Sequence, residues 1–196
     1  MRNTLFILLW FVCSGMIAQQ TYFELQSDGS FKTSEGKSFI VVEHGDMSAP
    51  ELFDMYSIAA LKGYKTERRV VNEVSGKVFA IEGITDTLTL RGSGTIVEKY
   101  EYQVMLHFKD GKVRIDAPYF GVVYASMKIM GSYGILIKQD TDFTTTITSG
   151  SPFLKFEDGV LKKEKYRRNW KRINAVANGL VKSILDNIEC GSDFDW

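Results

Sequence analysis

The sequence predicts an α+β domain: an antiparallel sheet of about five or more strands, with a short helix and a long C-terminal helix packed on one face, in β-α-β-β-β-β-α order. Three patterns carry this expectation. Tyr166, Trp170, Ile173, Ala177, Leu180, Ile184 and Ile188 recur at helical spacing, so residues 163–188 read as an amphipathic helix able to lie across a sheet. Asp110-Gly111 is a two-residue hairpin turn between alternating runs. Ser48 and Glu51 stand at capping-box spacing ahead of a second helical stripe.

Composition bounds the function. Among 196 residues, 24 Lys+Arg balance 24 Asp+Glu, which argues against a dedicated nucleic-acid binder. Two Cys and two His do not build a Cys-rich zinc module. A chain of this length buries roughly 70% of its unfolded surface, so its fold requires neither disulfide nor metal.

The chain opens with an address. Arg2, the unbroken apolar run Leu5 to Cys13, and then Ala18 ahead of polar Gln19 and Gln20 match a secretory signal peptide. The run is shorter than the about 20 residues a spanning helix needs, and no second stretch reaches that length. Residues 1–18 are therefore expected to be cleaved after Ala18, leaving one α+β domain over 19–196. Trp10, Phe11 and Val12 precede Cys13 where a lipidation signal wants small residues, so Cys13 belongs to the leader. Cys190 then remains alone, without an internal disulfide.

The elements follow in order. Tyr22 to Gln26 is a short strand closed by Ser27-Asp28-Gly29, and Lys37 to His44 is the first main strand. Pro50 in a first turn, the stripe Leu52, Phe53, Met55, Tyr56, Ala59 and Ala60, and the stop at Gly63 define the short helix. Strands are expected over Arg68 to Val74 and Lys77 to Ile84, joined at Ser75-Gly76, and a long strand over Thr95 to Phe108 follows Gly92-Ser93-Gly94. The Asp110-Gly111 turn pairs Lys109 with Lys112, Phe108 with Val113, His107 with Arg114, and Leu106 with Ile115. Alternation then puts Tyr100, Tyr102, Val104, Leu106 and Phe108 on a core face with Val113, Ile115 and Ala117. Residues 37–120 thus hold the core sheet and first helix. Residues 121–160 are a decorated, partly stranded segment with a turn at Gly131-Ser132-Tyr133-Gly134, able to cover part of the second sheet face.

This order resembles a family of exported bacterial proteins of unassigned function whose domain has a TATA-binding-protein-like fold, present here in a single copy. The likeness rests on the leader, Pro50-Glu51-Leu52-Phe53, Tyr102 to Phe108, Lys109-Asp110-Gly111-Lys112 with Arg114, and the closing helix, over about residues 37–120. It implies a fold and no activity. It does not imply DNA binding, which uses two tandem copies and a strongly basic saddle.

Two sets of residues are candidate sites. Glu101, His107, Arg114 and Asp116 share the polar sheet face, where they suit a small ligand or acid–base work. A solvated face with routine cross-strand charge pairs carries more weight, because no motif positions a nucleophile or oxyanion donor. Lys165, Arg168, Lys171 and Arg172 fall opposite the Trp170 stripe within a run of cations from Lys162, and suit an anionic lipid or glycan surface. A solvated helix face is the simpler account of them. His44 and Asp46 stand before the short helix, whose start can hold an anion, but turn and cap chemistry with Ser48 as the cap carries more weight.

Other motifs fail. Asp140-Thr141-Asp142 lacks the rest of a calcium loop, Gly92-Ser93-Gly94 lacks the context of a phosphate loop, and neither G-x-S-x-G nor H-E-x-x-H occurs. No catalytic residue, metal or cofactor is predicted. The leading expectation is an exported, non-enzymatic binding or interaction domain in the periplasm or outside a Gram-negative cell. Its partner would be a small ligand, an envelope component or another protein. A surface protein using the basic helix face is the alternative, and a hydrolase built on His107 the third.

Overall fold

The computed structural model describes residues 21–63, 69–74, 77–86, 88–91, 95–129, 132–136, 141–142 and 154–189. The elements are β1 (Glu24–Leu25), β2 (Phe31–Lys32), β3 (Phe39–Glu43), α1 (Ala49–Gly63), β4 (Arg69–Val74), β5 (Val78–Ile84), β6 (Leu88–Arg91), β7 (Thr95–Lys109), β8 (Lys112–Asp116), β9 (Tyr119–Ile129), β10 (Ser132–Leu136), β11 (Thr141–Asp142) and α2 (Glu164–Glu189). Residues 1–20, among them the expected leader, and Ser75-Gly76, Gly92-Ser93-Gly94 and Cys190 lie outside the described residues.

β7 is the spine of a nine-stranded antiparallel sheet among the described residues, and β1 pairs with β2 separately. Its C-terminal half lies between β8 and β5, and its N-terminal half between β9 and β6. β3 adds outside β8, β4 outside β5, and β10 and β11 outside β9. The flanking strands break where the two halves meet. Pro118, which has no N–H to offer a ladder, separates β8 from β9. Opposite, Thr85 leaves β5 but still bonds Tyr100, its N–H to the carbonyl and its Oγ1 accepting the Tyr100 N–H.

The hairpin register agrees pair for pair with the one derived from the Asp110-Gly111 turn. Tyr100, Tyr102, Val104, Leu106, Phe108, Val113 and Ile115 are buried on one face, against Leu52 and Tyr56 of α1 and Ile173, Ala177 and Val181 of α2. Half of the expected capping box forms: Glu51 accepts from the Ser48 N–H at 2.8 Å, while the Ser48 hydroxyl donates to the same carboxylate at 2.7 Å. These bonds hold the Glu51 carboxyl below its ordinary range, the hydroxyl bond most strongly. The hairpin turn supplies a second cap, since the Asp110 carboxylate accepts from the Ala49 N–H at 2.9 Å.

The structure corrects two element assignments. β6 was missing from the expected order, and it borders the N-terminal half of β7. Ser132, Tyr133 and Gly134, expected in a turn, lie in β10, paired with Ile129, Lys128 and Met127 of β9. The segment expected as partly stranded decoration therefore supplies strands of the main sheet.

α2 is fastened by side chains that bond strand backbone. Asn178 Oδ1 accepts from the Tyr22 and Phe23 N–H groups, and its Nδ2 donates to the Phe23 carbonyl. One turn earlier Asn174 accepts from the Leu25 N–H, and one turn before that the Trp170 indole donates to the Leu25 carbonyl. Asn169 likewise bonds both the N–H and the carbonyl of Arg91 in β6. These asparagines are buried. They take the place of a neighbouring strand for backbone that would otherwise lose its hydrogen bonds on leaving water.

Candidate binding face of the sheet

The odd-numbered residues of β7 face away from the helices. Register places His107 beside Arg114 and Val78, and Gln103 between Tyr119 of β9 and Glu82 of β5. Glu101 sits between Gly121 and Ile84.

Three of the four predicted face residues form one cluster. Asp116 accepts from the His107 ring Nε2 at 2.9 Å on one oxygen and from Arg114 Nε at 2.6 Å on the other. The Arg114 guanidinium also lies 4.3 Å over the Phe39 ring. Glu101 is not part of this cluster. It lies six residues from His107 along one strand, about 20 Å at the rise of a β-strand.

The His107–Asp116 pair has the form of a base held by its orienting carboxylate. However, the neighbours of His107 on this face are Met105, Lys109, Val78 and Arg114, none of which offers a hydroxyl or thiol.

Glu101 belongs to a second group. Glu82, Gly83, Ile84, Glu101, Gln103 and Tyr119 border a cleft of about 510 Å³ on the open face. Gln103 donates to Glu82 at 2.5 Å. Gly121 makes room for the Glu101 side chain, since a Cβ there would lie 2.7 Å from its Oε1. Tyr119, 53% exposed, also borders a second cleft of about 320 Å³ that includes Arg114, Asp116 and Ser38. The predicted residues therefore flank Tyr119 from two sides, and Tyr119 itself was not foreseen. Its place opposite Gln103 needs the register of β9, and no turn motif specifies that register.

The basic face of α2 is more heavily committed than its sequence suggests. Lys165 lies 5.0 Å over the Tyr166 ring, Arg168 reaches Glu164 at 4.0 Å, and Arg172 donates to the Thr89 carbonyl at 2.6 Å. Lys162 and Arg167, in the same run, pair with Glu157 and Glu164. Lys171 has no such partner among the described residues and borders a smaller cleft beside Glu24 and Trp170. The described residues hold no group of three or more His, Cys, Asp or Glu suited to a metal, and no helix long and apolar enough to cross a membrane.

His44 is tied to α1: its Nε2 lies 2.7 Å from the Tyr56 hydroxyl, with the rings edge to face. Burial holds its pKa below the ordinary imidazole value, opposed in part by Glu43. The unfolded chain then binds this proton more readily than the folded one. The stability from neutral His44 is complete above about pH 6.5 and is lost as pH falls below it toward the lowered folded value. The melting temperature of the wild type should therefore drop more steeply than that of His44→Gln between pH 7.5 and 5.5. Parallel curves would contradict this.

The geometry can be set beside known proteins. A DUF4468 family protein from Bacteroides ovatus is similar over 76% of this chain and 84% of its own, at 12% identity and a TM-score of 0.48. A TBP-like protein from Parabacteroides distasonis is similar over 80% of this chain and 92% of its own, at 12% identity and a TM-score of 0.42. At 12% identity and TM-scores below 0.5, these likenesses assign neither a family nor an activity to the chain. No protein-family model and no curated sequence matches the chain.

Proposed function

We propose that the protein is an exported, non-enzymatic binding domain that holds its ligand on the open face of the sheet, around Tyr119. The carrying observation is the cleft of about 510 Å³ there, with exposed Tyr119 and Ile84 among Glu82, Glu101 and Gln103. An aromatic ring and an aliphatic side chain among hydrogen-bonding groups suit a ligand with both apolar surface and polar groups. Both helices occupy the other face, and among the described residues no helix covers this one. The leader supports export, to the periplasm or the cell exterior. The alternative, an anionic envelope surface held by α2, gains less support, because most of its cations already have partners within the protein.

The low-mass fraction of the exported compartment provides the test. A ligand at one hundred times its Kd stabilises by about 2.7 kcal/mol, which for a chain of this size raises the melting temperature by about 5–10 °C. Glu101→Ala with Tyr119→Ala should lose this rise, and Lys171→Glu should keep it. A rise that survives in the double variant, or no rise in the wild type with any fraction, contradicts the proposal.

A further inference from the structure

β3 is an outer strand: it pairs with β8 and with no other strand among the described residues. Its sequence, Phe39-Ile40-Val41-Val42-Glu43, has no proline, lysine or bulge, the usual devices that protect an edge. Two backbone bonds set its parity. His44 N–H donates to the Gly111 carbonyl, and the Ser38 carbonyl accepts from Ala117 N–H. Even-numbered residues therefore bond β8, and Phe39, Val41 and Glu43 direct their N–H and C=O groups outward. Among the described residues nothing bonds these groups.

The open stretch has definite ends. At Lys37 the edge is covered by Thr33, whose N–H donates to the Lys37 carbonyl at 2.8 Å and whose Oγ1 accepts the Lys37 N–H at 3.2 Å. Past Glu43 the chain turns away at Gly45, which has a φ of 61°. A groove of about 380 Å³ runs along Phe39, Ile40 and Val41, bordered also by Thr21, Tyr22 and the turn from Thr33 to Lys37. Val41, at the centre, is 45% exposed.

We infer that this edge pairs with the same edge of a second copy of the chain, antiparallel and centred on Val41, joining two sheets across a two-fold axis. The five-residue stretch is self-complementary in that register. Val41 meets Val41 of the second copy, and Phe39 meets its Glu43, each facing pair exchanging two backbone hydrogen bonds. Charge supports the same arrangement. Glu43 is 71% exposed and among the described residues pairs only with Lys112, at 4.0 Å, whereas Arg114, bonded to Asp116 through Nε, lies over Phe39. Antiparallel pairing brings Glu43 of one copy beside the Arg114–Asp116 pair of the other and diagonal to its Lys37, which also pairs with Glu35. A parallel pairing would set Glu43 against Glu43.

Sedimentation velocity on the full chain, from micromolar to several hundred micromolar, tests the inference. A reversible species of twice the chain mass is expected. Val41→Pro removes an outward N–H and no bond to β8, so it should be monomeric with an unchanged circular dichroism spectrum. In a background with Cys13→Ser and Cys190→Ser, Val41→Cys should cross-link two chains on oxidation, because facing Cα atoms in such a pair lie about 5.5 Å apart, within disulfide range. This second variant decides the matter if Val41→Pro fails to fold. A monomeric wild type at the highest concentration, a dimer that persists in folded Val41→Pro, or failure to cross-link would overturn the inference. So would a monomer found with another chain's extended peptide bonded along residues 39–43.

Discussion

Gly111→Ala should destabilise the protein by about 3 kcal/mol, lowering its melting temperature by about 6–12 °C. Two effects add. Gly111 has a φ of 74°, where an L side chain costs about 1 kcal/mol or more. A Cβ at this position would also lie 2.6 Å from the Gly45 carbonyl oxygen, which is backbone and cannot swing aside. The hairpin turn docks on the link between β3 and α1 through this residue. Its N–H donates to the Met47 carbonyl, its carbonyl accepts from the His44 N–H, and the adjacent Asp110 caps α1. Moving the turn disturbs all three contacts. Gly36→Ala provides the control, since Gly36 has a φ of 78° but nothing within 4 Å of its added Cβ. Its loss should be limited to the backbone cost. Equal losses in the two variants would show that the docking contributes nothing.

Asn178→Leu should cost about 3 kcal/mol, because it leaves two backbone N–H groups and a carbonyl without the partners they have on α2. Leucine suits the apolar stripe of α2, so lost packing is not the cause. The damage should be local: amide exchange at residues 22–25 should quicken far more than exchange in β7. Thermal melting and hydrogen exchange on the same samples check both statements. A leucine variant as stable as the wild type would mean that the asparagine bonds are not needed to hold this segment.

The parts of the fold legible in the sequence were those in which a local rule and a periodicity agreed. The Asp110-Gly111 turn and the alternation around it gave the same register, and the stripe from Tyr166 to Ile188 matched α2 to within a residue at each end. β6 is four residues long and starts beyond a break, too short for alternation to show. The turn assigned to residues 131–134 followed its glycines, but pairing with β9 overrode that local preference. The asparagines at 174 and 178 left a trace, lying one turn apart on the apolar side of α2. What they bond, however, is separated from them by about the whole length of the domain.

The candidate site was partly legible for the same reason. Pairing across the hairpin placed His107 by Arg114, and Asp116 followed two residues on. Sharing a face does not imply sharing a site, and the strand rise separates Glu101 from the other three. Alternation puts Gln103 on this face, but its partners Tyr119 and Glu82 were hidden, because the three meet across strands whose mutual register the hairpin alone does not determine.

Native mass spectrometry of the wild type and of Glu101→Ala with Tyr119→Ala, both purified from the exported fraction, tests the central claim most directly. The proposal predicts a chain beginning at Gln19 in both samples and a retained ligand mass in the wild type alone. The same retained mass on both proteins, or a wild type that carries nothing under conditions that preserve weak complexes, would contradict a binding site at Tyr119.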